Sequence, residues 1–380
     1  MKLRSKVVGV LLMGSLFLSG CQSQVNTGKD TKVNNTNTSI TEGEDVKKIA
    51  GDNAKKPIEE EPRYEDTIKL GYSGDLCLGG PNLASLNGYF DKRGIDVEFV
   101  NTKNPKDALG TGKLDGLVGE FAGMIVPTTK GLDIVFSSAS HTGCKSLYVL
   151  NESEITKTKE LEGKNLAITN GIGNSNHNTA LRFFNHDGVD PDKVSYKQVD
   201  NAAVIQAMKD GEIDSAVLDD QFAKSFVDKG VIRPIRSMTD DEDFGNEVCC
   251  VLAFNGTFAK ENPLIADEVA SAIQEANDYI ENNPEEATKK LYDNNLASGD
   301  FEAGLDLMKS YDYSVKNELA EKTLESIFTD YKKIGLIEDD RNVEDLMKSY
   351  WLPLGSFYDC LLYTSPSPRD LSTSRMPSSA

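Results

Sequence analysis

The sequence predicts an α/β protein of two lobes, each built on a parallel-rich sheet with flanking helices, and joined by two crossover strands. Three observations predict it. Short apolar strands alternate with amphipathic helices from Ile68 onward, the pattern of parallel βαβ units. The phrase "ALGTGKLDGLVGEF", starting at Ala108, returns as "AMKDGEIDSAVLDD", starting at Ala207. After Pro263 the strand pattern stops and only helical spacing continues.

The chain opens with Lys2, Arg4 and Lys6 and an apolar run over residues 7–18. That run is shorter than the roughly 20 residues a spanning helix needs. A basic start, a short apolar stretch and small residues describe a secretory signal over 1–20. Leu18, Ser19, Gly20 and Cys21 resemble the lipobox of bacterial lipoproteins, in which the Cys becomes the lipidated first residue. Residues 21–66 are rich in Asn, Thr, Lys, Glu and Gly. Without apolar periodicity such a stretch offsets little of its ordering entropy, so a lipid-anchored flexible linker is expected there.

Lobe 1 is expected to begin at 67–143. "TIKLGYS" reads as a strand and "PNLASLNGYFDKRG" as a helix opened by Pro and closed by Gly. "IDVEFVN", the short helix "NPKDALGTGK", the strand "LDGLVGEF" and, after a further helix, "DIVFSSAS" follow. The pattern restarts over 144–250 as lobe 2, from "GKNLAIT" through the helix "NSNHNTALRFFNHDG" to "IDSAVLD" and "VIRPIRS". Residues 251–359 should return to lobe 1, with the strand in "VCCVLAFNGTF" followed by four helices. The chain then crosses between lobes near "HTGCKSLYVL" and near "VCCVLAFNG".

Residues 360–380, "CLLYTSPSPRDLSTSRMPSSA", lack apolar periodicity. They back-translate into bases resembling both ends of a transposase-type sequencing adaptor. The tail is therefore expected to be an artefact, with the native sequence read only to about Asp359.

Lys and Arg number 41 against 61 Asp and Glu, a net charge of −20. No basic patch of the kind a nucleic-acid surface needs is present in the sequence, so no nucleic-acid partner is expected. No Ser-His-Asp arrangement, phosphate loop or zinc spacing appears, so no catalytic residue, metal or cofactor is assigned.

Leader, tether, two α/β lobes and two crossovers together resemble the type II periplasmic-binding-protein architecture. The nearer resemblance is to the sulfonate/nitrate/taurine and thiamine-precursor group of ABC-transporter substrate-binding lipoproteins (SsuA/THI5-like, NMT1-like). "KLGYS", "ALGTGKLDGLVGEF", "ELEGKNLAITNGIGNSNHNTALRFF", "AMKDGEIDSAVLDD" and "FAKENPLIADEVASAIQEAN" carry it. The resemblance implies a monomeric solute-binding protein, not an enzyme, that closes on a small molecule and docks on a membrane permease. A sensor or receptor ectodomain would share the whole body. A thiamine-pyrimidine synthase is the enzyme-class alternative, since "VCCVLAF" loosely resembles the cysteine-rich strand of the fungal enzymes.

Ligands of open parallel sheets sit beyond the carboxyl ends of the strands. Glu120 and Asp219 end equivalent strands and are expected to face one cleft; helix N-capping is their other role. The same rule nominates Ser73, Gly74 and Asp75 after the first strand, Ser140, His141 and Thr142 at the first crossover, and Gln221 beside Asp219. Asn174, Ser175 and Asn176 open a helix, where backbone N–H groups attract anions. With acids and amides prominent and Lys145 the only cation nominated, an amine or aminopyrimidine is favoured over a sulfonate, nitrate or taurine.

Cys144 lies on one crossover and Cys249 and Cys250 on the other, and crossovers of this fold run side by side. Three readings stay open for these residues and Cys77: small buried side chains, a disulfide from Cys144 to Cys249 or Cys250, allowed in an exported protein, or a metal or thiolate-reactive site with His141. Strand side chains alternate, so Cys249 and Cys250 are expected to face opposite sides.

Overall fold

The computed structural model describes residues 43–72 and 74–355. The signal, Cys21, Ser73 and the 360–380 tail lie outside the described residues.

Within the polar linker expected over 21–66, residues 43–66 instead carry regular structure and pack on the body. Helix α1 (Val46–Asn53) is capped by the Asp45 side chain, which accepts from the Lys48 N–H at 3.1 Å. Val46 and Ala50, one helical turn apart, are fully buried. Burying a Val side chain contributes about 1.5–3 kcal/mol. Farther on, the buried Glu61 carboxylate accepts from the backbone N–H groups of Leu264 and Ile265 at 2.7 and 2.9 Å. Composition hides such anchors because they depend on two or three positions, not on an average.

The first sheet has five strands in the order β2-β1-β3-β10-β4: β1 (Ile68–Tyr72), β2 (Val97–Asn101), β3 (Gly116–Glu120), β4 (Ile134–Thr142) and β10 (Val248–Asn255). The second runs β7-β6-β8-β5-β9: β5 (Lys145–Leu150), β6 (Asn165–Ile168), β7 (Ser195–Gln198), β8 (Ser215–Asp219) and β9 (Ile232–Ser237). In each sheet three parallel strands meet an antiparallel one, β10 beside β3 and β5 beside β8. Strand β10 lies wholly in the first sheet, so residues 248–250, expected in lobe 2, belong with lobe 1.

The repeated phrase performs the same structural task twice. The Asp115 carboxylate accepts from the Lys69 N–H on β1, and its own N–H donates to the Lys69 carbonyl, each at 2.8 Å. Asp214 repeats this with Asn165 on β6 at 2.8 and 2.9 Å. In both lobes an Asp just before the strand clamps its neighbour and sets their register.

Helices cover the sheets: α2 (Gly80–Leu86), α3 (Pro105–Gly110), α4 (Phe121–Thr129), α5 (Ser175–Asp187), α6 (Asn201–Lys209) and α7 (Asp220–Asp228). The C-terminal helices α8 (Gly256–Glu261), α9 (Pro263–Asn282), α10 (Pro284–Asp293), α11 (Phe301–Ser310), α12 (Asn317–Lys333) and α13 (Val343–Tyr350) return to the first lobe. Trp351 is fully buried and bridges to Phe136 on β4. Helix α12 also reaches the second lobe: the buried Arg182 of α5 donates to Asp330 of α12 at 2.8 Å and to Glu247 at 2.6 Å. No helix among the described residues is long and apolar enough to cross a membrane.

Candidate functional site

Strands β3 and β8 run parallel to their neighbours and end on Glu120 and Asp219. Their carboxyl ends open on a cleft of about 880 Å³ between the lobes. Helices α4 and α7 start directly after these acids, yet neither carboxylate accepts a capping hydrogen bond. They are turned elsewhere.

Their common partner is Lys145, the first residue of β5. The register of β5 on β8 sets Lys145 directly opposite Asp219. Its Nζ lies 2.9 Å from Glu120 Oε1 and contacts Asp219 Oδ1 and Asn176 Oδ1. The side chain is 1% exposed, against 25% for Glu120 and 47% for Asp219. Burial by itself would lower the Lys145 pKa, but Asp219 and Glu120 hold it well above the usual lysine range. Burial pushes the Glu120 carboxyl upward and Lys145 opposes this. One ammonium thus joins an acid of each lobe.

Further contacts close the cleft. Lys106 Nζ donates to Gly123 O at 3.0 Å and to Asn174 Oδ1 at 2.6 Å, linking α3 to the loop before α5. Gln221 on α7 accepts from the Leu76 N–H at 2.9 Å. Asp75, Asn174, Ser175 and Gln221 line the cleft beside the two acids. Gly74 takes φ +81° in the turn that carries Asp75 and does not itself line the cleft. Asn176 is fully buried behind the wall, its amide donating to Thr169 Oγ1 at 2.9 Å and Val217 O at 3.0 Å.

The nominations of Ser140, His141 and Thr142 as wall residues fail. All nine residues of β4 are buried, because β10 pairs along it and C-terminal helices pack on it. Thr142 instead holds the segment after α11, accepting from the Asp312 N–H at 3.1 Å. Wall residues outside the nominations include Lys103, Lys106, Asp107, Phe222 and Tyr311. Lys106 and Asp107 follow β2, so the carboxyl-end rule that found Asp75 also covers them. Tyr311 comes from the C-terminal helical segment, and no sequence signal brings it here.

The four cysteines Cys77, Cys144, Cys249 and Cys250 are free thiols. Cys144 Sγ lies 2.8 Å from Cys249 Sγ, and Cys249 Sγ lies 3.9 Å from Cys250 Sγ. Cys249 and Cys250 do not simply face opposite sides: all three sulfurs lie within 4.8 Å of one another. A register shift of β10 against β4 between Val248 and Cys250 breaks the alternation. The same pairing sets Cys250 opposite both Glu120 and His141.

A family model described as NMT1/THI5 like matches residues 80–287. A search of curated proteins finds no match. Solved structures share the fold, three of them as follows. The periplasmic nitrate-binding protein NrtA from Synechocystis PCC 6803 has a TM-score of 0.65 and 15% identity, covering 81% of this chain and 91% of its own. A Candida albicans gene product described as having the generic periplasmic-binding-protein fold has a TM-score of 0.62 and 15% identity, covering 75% and 96%. The periplasmic aliphatic sulphonate-binding protein SsuA from Escherichia coli has a TM-score of 0.61 and 17% identity, covering 76% and 92%.

Proposed function

Since the chain belongs to the NMT1/THI5-like family, we propose that it is the extracytoplasmic solute-binding lipoprotein of an ABC importer. It captures a small molecule between its lobes, without transforming it, and hands it to a membrane permease. The observation that carries this reading is the Glu120–Lys145–Asp219 bridge, which ties the strand ends of both sheets at the cleft. Asp75, Glu120, Asn174, Ser175, Asp219 and Gln221 are the residues proposed to meet the solute.

The solute is an amine or aminopyrimidine. NrtA and SsuA are a nitrate- and a sulphonate-binding protein by name, and an anion is therefore the rival class. In this cleft Lys145 is already engaged by two carboxylates and an amide. The wall carries Asp75, Asp107, Glu120 and Asp219 against Lys103 and Lys106. A donor of N–H groups completes that pattern, whereas an added anion opposes it.

Native mass spectrometry of the purified protein, followed by calorimetry with the molecule found, tests this. A bound amine or aminopyrimidine is the expected result. Tight binding of taurine, nitrate or a sulfonate in its place would overturn the solute class. A folded protein that holds no small molecule of either class would overturn the capture reading itself.

A further inference from the structure

Beside the cleft, at the crossing of the two inter-lobe strands, stands a group of residues that solute capture leaves unused. Cys77 Sγ, Cys144 Sγ and a ring nitrogen of His141 lie within 4.8 Å of one another. Cys77 and Cys144 also line the cleft, so the group has a path to solvent. Tetrahedral zinc at ordinary bond lengths keeps such ligand atoms roughly 3.4–3.8 Å apart. Closing the group on an ion therefore needs no pair of ligand atoms to approach by more than about 1.4 Å.

His141 is prepared for this role. Its Nδ1 lies 2.8 Å from the Thr142 carbonyl oxygen. A carbonyl only accepts, so Nδ1 carries the proton and Nε2 keeps its lone pair. That Nε2 is buried and has no hydrogen-bond partner among the described residues. An orphaned buried acceptor is costly, and a ring whose other nitrogen is tied to a backbone carbonyl is the usual posture of a metal-bound histidine. The crossover is also built around the thiol: Gly143 and Cys144 have φ of +78° and +84°. For a non-glycine residue that conformation costs about 1–3 kcal/mol.

We propose that Cys77, His141 and Cys144 bind one zinc-class ion, with a fourth coordination position open to the cleft. Each thiol loses its proton to solvent as its sulfur–metal bond forms, so two protons leave for each ion bound. Two thiolates and a neutral imidazole balance a dication, and no uncompensated charge is buried. Cys249, 2.8 Å from Cys144 Sγ, then donates its S–H to the Cys144 thiolate from behind.

The test uses the full chain under reducing conditions, with Cys21→Ser and Cys360→Ser to remove the two thiols outside the described residues, and Co²⁺ as spectroscopic probe. One equivalent of Co²⁺ should produce thiolate charge-transfer and tetrahedral d–d bands, and Zn²⁺ should erase them. Cys77 is only partly buried, so Cys77→Ser keeps the fold. It and His141→Ala should each weaken binding by more than roughly 100-fold, beyond the loss that an outer partner gives. Cys249→Ser, which retains a donor, should weaken it by no more than about tenfold. The absence of charge-transfer bands at one equivalent would overturn the proposal. So would binding that survives Cys77→Ser, or that Cys249→Ser removes as fully as Cys77→Ser. Solute capture through Asp219 is read separately by calorimetry on metal-free protein.

Discussion

Lys145 Nζ lies 2.9 Å from Glu120 Oε1, so the strand that opens the second lobe is tied to the strand that ends in the first. Two acids brought together across the cleft without a counter-charge would repel. Here the cation between them is supplied by the protein.

Removing that cation should loosen the closed form. Lys145→Met leaves Glu120 and Asp219 close together without their counter-charge. Breaking a buried pair costs about 3–5 kcal/mol; with both acids partly exposed, about 2–4 kcal/mol is expected. Urea unfolding at neutral pH measures it. The loss should shrink in acid as Glu120, whose carboxyl burial pushes upward, protonates, and a loss independent of pH would mean that only packing had been removed.

Asp219→Asn should weaken an amine or aminopyrimidine by about 1–3 kcal/mol, the scale of one charged hydrogen bond. The side chain is 47% exposed, so the fold should survive. Calorimetry and a melting curve on one preparation separate the two effects. Unchanged amine binding would remove Asp219 from the solute site.

Two buried acids make stability pH-dependent. Burial raises Asp220, which accepts from Tyr148 Oη at 2.6 Å, to about 6. Burial likewise raises Glu61 to about 7. Each therefore binds its proton more tightly folded than unfolded. Their stabilisation is full below about pH 4 and is lost as pH rises through the folded values. For Asp220 the window runs from 3.8 to about 6, a swing of roughly 3 kcal/mol at 1.36 kcal/mol per unit. Asp330 and Asp243, lowered in the folded state, act in the opposite direction. The measurable quantity is thus the difference between wild type and Asp220→Asn in urea stability from pH 4 to 7. It should change across that window, and a flat difference would count against the burial argument.

Cys21 is proposed as the lipid attachment point. Cells expressing the full chain and fed labelled palmitate should yield a labelled protein, and Cys21→Ala should abolish the label and release the protein from the membrane. A labelled Cys21→Ala protein would place the anchor elsewhere.

Much of the architecture was legible because it repeats. Alternating strands and helices announced two α/β lobes, and the phrase written twice marked equivalent strands whose ends, Glu120 and Asp219, both reach the cleft. Asp75, Asn174, Ser175 and Gln221 followed from the same edge rule. Residues 43–66 were not legible: Val46, Ala50 and Glu61 are too few to lift a polar stretch above a linker's composition. Ser140, His141 and Thr142 were misplaced because β4 reads as a strand end from sequence, while β10 pairs along it and helices bury it. The alternation rule failed at Cys249 and Cys250 because a register shift in β10 depends on its partner strand. Lys145 was the one cation nominated from sequence, but not as the partner of both acids, and Lys103 and Lys106 on the wall were missed. Local patterns, set by the period of helix and strand, determined the elements and their ends. Which charge meets which was decided by long-range contact: the β5–β8 register sets Lys145 opposite Asp219, and the approach of the two lobes brings Glu120 to the same ammonium.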